Sequence, residues 1–225
     1  MDSGNIGFVL LCAAFVFVMT PGLAMFYGGL VRKKNVVNTM MTSIFIIGVG
    51  IVMWVLFGYS LSFAPSGNAF IGDFRWLGLE GVSLTEGYTD DASIPNMVFS
   101  AFQMMFAVIT PALITGAVAG RMKFKSIFVF TIFWSLIVYY PLAHMVWGQG
   151  GLLGADGIGA LDFAGGDVVH ISSGVSALVL CILLGKRHDY EHSIYRIHNI
   201  PTVVLGASLL MFGWFGFNAG SALAA

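Results

Sequence analysis

The chain has 225 residues, of which 58% are hydrophobic and only 9% are charged, and its formal net charge is −1. Soluble domains carry about 25% charged residues, so this composition excludes an ordinary soluble protein. The apolar fraction is also too high for an intrinsically disordered chain. The 29 glycines fit close helix packing within lipid. We therefore expect an all-α, polytopic membrane helix bundle.

Six apolar stretches are long enough to cross a hydrocarbon core of about 30 Å, which takes about 20 helical residues. No linker or low-complexity segment divides the chain, so we expect a single domain over residues 1–225. The predicted spans are residues 7–31, 37–62, 94–120, 126–147, 162–185 and 199–222.

The basic residues mark one side of this topology. Nine of the ten Lys and Arg residues follow the first, third and fifth spans, and only Arg75 lies on the opposite side. The positive-inside rule places such basic loops in the cytoplasm. We therefore expect a multi-pass protein of the cell (plasma) membrane with its N-terminus outside. The loop of residues 73–91, which carries five of the eleven carboxylates, would also lie outside.

Two spans carry aromatic and polar side chains at helical spacing, and a tryptophan ends a third span. Packing is the commoner explanation of such stripes, and an interfacial tryptophan is usually part of an aromatic belt. The alternative is a vestibule for a small cation, because aromatic faces attract cations by roughly 0.5–2 kcal/mol. The residues are Phe102 and Phe106 in the third span, Trp147 at the end of the fourth, and Trp214, Phe217, Asn218 and Ser221 in the sixth.

His170 is flanked by apolar sequence and has no basic residue close by. An ionisable side chain at membrane depth is costly, which makes it a candidate functional residue. If the helix starts at Asp162, His170 lies about 12 Å into the membrane. A packed histidine, a pore-lining histidine and a catalytic base are all open, and the base is the least supported because no nucleophile or metal-ligand pattern accompanies it. Asp162 itself most simply accepts hydrogen bonds from backbone N–H groups before a helix.

The remaining histidines have simpler explanations. His144 lies near an outer helix end and is expected to be structural. The polar loop 188–198 is predicted to be a helical connector that exposes His188, His192 and His198 to solvent. Their irregular spacing argues against a metal site.

Five motifs in chain order together resemble those of the family of ammonium transporters, methylammonium permeases and Rhesus proteins, and within it the bacterial and archaeal ammonium transporters. The motifs are PGLAMFYGGLVRKKN at 21–35, AHMVWG at 143–148, ALDFAGG at 160–166 with VHI at 169–171, GKR at 185–187, and GWFGFNAGSA at 213–222.

The resemblance implies a homotrimer with one pore through each subunit, which carries ammonium/ammonia or methylammonium across the bilayer. Ammonium would be recruited by cation–π contact and a hydroxyl, lose a proton near an aromatic gate, and pass as ammonia along an imidazole. By motif match, the recruitment site would be Phe102, Phe106, Trp147 and Ser221, the gate Phe106 and Phe217, the pore lining His170, Trp214 and Asn218, and the structural support Asp162.

The chain also departs from the family, whose members usually have eleven spans in two inverted five-span repeats plus a final helix. Only the first repeat and one further helix are matched, so we expect a fragment or a shortened form that does not complete the pore alone. An ammonium sensor that binds without conducting is the second hypothesis, and a membrane enzyme using His170 as a base is the third. We expect no cofactor, metal or nucleic acid, and a cytoplasmic nitrogen-signalling regulator as a further partner on the basic loops.

Overall fold

The computed structural model describes residues 1–65, 68–155, 157–187, 190 and 194–225. Regular structure in these residues is helical, and six helices are long and apolar enough to cross a membrane. The predicted all-α architecture with six spans is therefore confirmed. The helices are α1 (Ser3–Leu30), α2 (Lys33–Phe63), α3 (Asn96–Val118), α4 (Phe124–Trp147), α5 (Gly166–Leu184) and α6 (Ile200–Gly220).

Contacts between chain segments define two ends of the bundle. At one end the N–H of Asp2 donates to the carbonyl of Ser93, just before α3, and the N–H of Ala225 donates to the side chain of Asn5. We call this end, which carries the carboxylates of the loop between α2 and α3, the acidic end. At the other end Arg121 donates to the carbonyl of Gly185, which joins the ends of α3 and α5. We call it the basic end.

Helix α3 occupies the centre of the bundle, whereas α5 and α6 lie at its edge. In their most apolar stretches 72% of the residues of α3 are buried, against 22% in α5 and in α6. Helix α3 packs against α1, α2 and α5, while α6 packs mainly against α1. Each of the two edge helices therefore has one covered and one uncovered face.

The α1–α6 contact depends on glycines because the two backbones approach closely. A side chain at Gly206 of α6 would meet backbone atoms of Gly22 and Phe26 in α1. One at Gly216 would meet the backbone of Cys12, also in α1. Small residues at such contacts let helices associate within lipid, where no hydrophobic force drives them together.

Helix α5 begins later than the sequence indicates. The predicted fifth span starts at residue 162, but the helix starts at Gly166, with a π-helical turn over Gly166–Ile171. The chain turns between these points at Gly165, whose φ of 107° lies in the left-handed region that favours glycine. His170 therefore lies about 6 Å, not about 12 Å, along the helix from its start.

The loop between α2 and α3 folds back over the acidic end. Tyr88 stacks on Phe99 of α3, with ring centroids 4.8 Å apart and planes 5° apart. His144 of α4 is fully buried beneath this loop, with Nδ1 3.1 Å from the carbonyl of Ser62 and Nε2 2.8 Å from that of Asn68. Burial and two backbone partners are what we expect of a structural histidine.

The described part of the loop before α6 is not helical, unlike the predicted connector. Residues 194–198 have no helical turn, because the N–H groups of His198 and Asn199 both donate to the carbonyl of Gly29 at the end of α1. His188 and His192 lie outside the described residues.

Candidate functional site

A cavity of about 470 Å³ lies at the acidic end. Its walls come from the loop before α3, from α3 itself, from the end of α4 and from the segment that follows α6. Three of the four predicted recruitment residues, Phe106, Trp147 and Ser221, line this cavity, and so does Asp162. The fold therefore brings together residues that are up to 115 positions apart in the sequence, from Phe106 to Ser221.

Of the predicted gate residues, Phe106 lines the cavity, and Phe217 packs against Phe106 without lining it. The ring centroids of Phe106 and Phe217 are 4.2 Å apart, with 30° between the planes. Both side chains are buried, at 1% and 2% exposure. The ring of Trp147 meets Phe106 nearly edge-on, 6.1 Å away at 87°. Phe106 thus contacts both the ring of Trp147, which also lines the cavity, and the ring of Phe217.

Ser221 presents an acceptor to the cavity. Its hydroxyl donates to the carbonyl of Phe217 at 2.8 Å. A hydroxyl has one proton and two lone pairs, so the oxygen retains the capacity to accept a hydrogen bond from a ligand.

Phe102 is the predicted recruitment residue that does not line the cavity. Its ring is fully buried, 4.9 Å from Phe106, and it packs against Gly220 of α6. The helical rotation explains the difference. Phe99 and Gln103 lie on one side of Phe106 around α3 and line the cavity, whereas Phe102 lies on the other side.

Both carboxylate oxygens of Asp162 accept hydrogen bonds from backbone N–H groups. Oδ1 accepts from the N–H groups of Gly165 at 2.5 Å and Gly166 at 2.8 Å. Oδ2 accepts from Asp167 at 2.8 Å and Val168 at 3.0 Å. Four charge-assisted bonds at the start of a helix stabilise the carboxylate where it is. This geometry agrees with the expectation of backbone partners and leaves no lone pair directed at a cation.

The backbone of Asp162 also fixes the cavity wall. Its carbonyl accepts the indole N–H of Trp147 at 2.8 Å. The orientation of the Trp147 ring is therefore coupled to the turn that starts α5.

Two of the predicted pore-lining residues, His170 and Trp214, lie beside Phe217. The ring of His170 is 6.0 Å from Phe217 and stacks on Trp214 at 5.5 Å with 20° between the planes. His170, Trp214 and Asn218 are exposed on the side away from the bundle. We call this surface of α5 and α6 the open face.

Most of the residues that line the cavity were not singled out from the sequence, among them Tyr88, Asp91 and Gln103. Tyr88 and Asp91 come from the loop before α3, and Gln103 comes from α3. Burial raises the pKa of Tyr88 to about 12, so its hydroxyl stays neutral. Gln103 could have been found from the sequence, since it is a polar residue one helical turn from Phe106 within an apolar span.

Comparison with known proteins identifies the family. A sequence model described as the Ammonium Transporter Family matches residues 7–225. The chain belongs to this family. The ammonium transporter of Bacillus subtilis is 53% identical over 223 residues, which cover 99% of this chain and 54% of that protein. The relatives are named transporters, so the family is not one of enzymes.

Solved structures agree with the sequence relatives. The crystal structure of Mep2 from Candida albicans matches with a TM-score of 0.88 and 34% identity, over 100% of this chain and 50% of that one. A structure titled Sensor Amt Protein matches with a TM-score of 0.84 and 31% identity, over 99% of this chain and 55% of that one. The chain thus spans about half the length of the relatives it matches.

Proposed function

We propose that this chain serves ammonium transport, by recruiting ammonium in the cavity at the acidic end and delivering ammonia to the open face. The observation that carries the proposal is the contact between Phe106, which lines the cavity, and Phe217, which lies 6.0 Å from His170. A polar ligand site, an apolar barrier and a histidine occur in that order along one path.

The cavity offers the partners that a small cation needs. The faces of Phe106 and Trp147 attract a cation by roughly 0.5–2 kcal/mol when it is desolvated. Ser221 adds a hydroxyl oxygen whose proton is already committed to Phe217. The recruitment site consists of Phe106, Trp147 and Ser221. Phe102 contributes by holding Phe106 in place, and Asp162 by holding Trp147.

The aromatic pair selects against passage of an ion. Moving an ammonium ion between two buried rings removes its water without offering a counter-charge, which is costly. Neutral ammonia has no such penalty, so ammonium gives its proton to water in the cavity and ammonia continues. A neutral imidazole donates from one ring nitrogen and accepts at the other, which suits ammonia passing His170. Trp214 and Asn218 line the same path.

The open face sets a condition for conduction. Because His170, Trp214 and Asn218 are exposed on one side, a path along them has a wall on one side only. Conduction therefore requires further protein to cover this face, whereas binding in the cavity requires only the described residues.

The bundle's charge distribution orients the protein. We assign the basic end to the cytoplasm and the acidic end, with the N-terminus, to the outside of the plasma membrane.

The functional unit is a homotrimer, and a cytoplasmic nitrogen-signalling regulator binds at the basic loops. Protease protection of the 73–91 loop in sealed vesicles tests the orientation, and mass determination in detergent tests the trimer.

Ammonium binding to the chain in lipid nanodiscs tests the proposal directly. We expect saturable binding that Phe106→Leu weakens roughly 2- to 30-fold, the range of one cation–π contact. Phe45→Leu is a matched control, because Phe45 is 45% exposed and does not line the cavity. Absence of ammonium binding by the wild-type chain, or equal losses in the two variants, would contradict the proposal.

Uptake of ammonia by proteoliposomes, followed as the rise in internal pH above that of empty vesicles, then tests transport. We expect any saturable uptake to be lost with His170→Ala and altered by Phe217→Leu, since these residues lie on the path and not in the cavity. Retention of the wild-type uptake in His170→Ala would place the path elsewhere.

A sensor is the second candidate, favoured by the similarity to the structure titled Sensor Amt Protein. A sensor needs the cavity but not the path beyond it. It would bind ammonium with the same dependence on Phe106 and take up no ammonia even when the open face is covered.

A further inference from the structure

Gln103 is a buried polar side chain whose acceptor has no partner in the described structure. It lies on α3 and is 9% exposed. Its Oε1 is shielded from water and accepts no hydrogen bond from any described residue. A buried acceptor left without a donor costs free energy, so its presence within an apolar helix calls for an explanation.

The position of Gln103 supplies that explanation. It lines the same cavity as Phe106, Trp147 and Ser221. It precedes Phe106 by three residues and so lies on a neighbouring position of the same helical face, about one turn closer to the acidic end. Phe99, four residues earlier, continues this face and is fixed by its stack on Tyr88. The amide is thus held in the wall of the candidate site.

The other polar groups of the cavity are committed or peripheral. The carboxylate of Asp162 accepts four backbone N–H groups. The hydroxyl of Ser93 donates to the carbonyl of Leu223 and accepts from Asn5. Thr89 and Asp91 are exposed, and the hydroxyl of Tyr88 accepts from the N–H of Gln149. Among the described side chains of the cavity that are not exposed, Ser221 and Gln103 therefore have acceptor capacity to offer.

We propose that Gln103 is a specificity-determining residue of this cavity, whose amide oxygen accepts an N–H of ammonium. This inference rests on the proposed function. Ammonium has four N–H donors, and the faces of Phe106 and Trp147 with the oxygen of Ser221 provide three partners. Gln103 provides the fourth. Because Oε1 is shielded in the structure, the amide rotates about its last side-chain bond to meet the ion, which requires no movement of the backbone.

The fourth partner discriminates between ammonium and its methylated analogue. Methylammonium has three N–H donors, which the other three partners satisfy, and its methyl group would then face Gln103. A site with a buried acceptor disfavours a ligand that leaves it unpaired. Gln103 therefore raises the affinity for ammonium while contributing little to that for methylammonium.

The test measures binding of ammonium chloride and of methylammonium chloride to the full chain in nanodiscs at constant ionic strength. Gln103→Met keeps an unbranched side chain of similar size and removes the acceptor. We expect it to weaken ammonium binding about tenfold, as for loss of a hydrogen bond to a charged group, and methylammonium binding less than about threefold. Gln103→Glu, which presents an oxygen in either rotamer, is expected to retain ammonium binding.

Asn38→Leu is the control, since Asn38 also carries a side-chain amide but is exposed on α2 and does not line the cavity. We expect it to change neither affinity. Ammonium binding by Gln103→Met at the wild-type level would overturn the inference, as would equal losses for the two ligands, which would indicate a structural role. Failure of the wild-type chain to bind ammonium would instead overturn the proposed function, so the two failures are distinguishable.

Discussion

The two faces of helix α6 differ in what covers them. On one face Gly206, Gly213 and Gly216 meet α1 so closely that any side chain there would collide with it. On the other face Trp214 is 43% exposed and Asn218 is exposed as well. Both faces belong to one apolar helix, yet only one is used for packing.

The difference separates residues selected by packing from residues that packing does not explain. Glycines on the covered face are accounted for by the close approach of α1. Trp214 contacts His170 and Phe217, but Trp214 and Asn218 both remain exposed, so burial in the bundle core does not account for them. At the end of α6, Ser221 lines the cavity and Phe217 packs against Phe106, which lines it too. Besides the cavity, the open face is therefore the surface on which function is to be sought.

The largest expected effect on stability comes from adding a side chain at a glycine on the covered face of α6. Gly206→Leu would place atoms against backbone of Gly22 and Phe26, which cannot move aside as a side chain could. Overpacking costs typically about 1–3 kcal/mol and more when backbone is displaced, so we expect little folded protein. Monodispersity in mild detergent and thermal unfolding measure this. Gly48→Leu, at a site with open space around it, should unfold like the wild type.

The second-largest expected effect on stability distinguishes a buried from an exposed aromatic residue of α6. Phe217 is buried, so Phe217→Ala should lower the free energy of unfolding by about 3–5 kcal/mol. Trp214→Ala removes a larger ring but one that is 43% exposed, and should cost less than half as much. Thermal unfolding of both variants in the same lipid measures the two losses of stability. A Trp214 variant as unstable as the Phe217 variant would show that the open face is a packing surface after all.

The start of α5, opposite α6 on the open face, provides a smaller effect. Asp162→Ala leaves the N–H groups of a helix terminus without their acceptor, and we expect a loss of about 2 kcal/mol. Asp162→Asn should lie between this variant and the wild type, because one oxygen can still serve two of the donors. Asp167→Asn removes a charge from the same turn but keeps the backbone donor, so it should change thermal unfolding least of the three.

The sequence predicted the helices well because length and apolar composition dominate structure in lipid. Nine basic residues on alternate loops likewise predicted which helix ends lie together. The start of α5 could not be predicted in this way. An acidic residue before an apolar run is typical of a cap directly at the helix start, and nothing in the pattern reveals the intervening turn at Gly165.

The cavity was predicted in part, and from the resemblance more than from spacing. Phe106, Trp147 and Ser221 belong to three different spans, so no helical period relates them. Spacing placed Phe102 and Phe106 on one face, but a difference of about 40° around the helix decides which ring meets the cavity. Gln103 was missed because one glutamine in an apolar span has no partner in the sequence pattern. Its significance depends on what the fold places opposite it.

The smallest expected effect on stability lies on the open face itself. Asn218→Leu replaces an exposed polar side chain by an apolar one in the membrane span, and we expect thermal unfolding to change by no more than about 0.5 kcal/mol. Ammonium binding should also be unchanged, because Asn218 does not line the cavity. Uptake of ammonia along the open face should nevertheless fall, since the path loses a polar side chain on the face that carries His170. Loss of stability without loss of uptake would contradict this, because it would show that Asn218 serves packing and not the path.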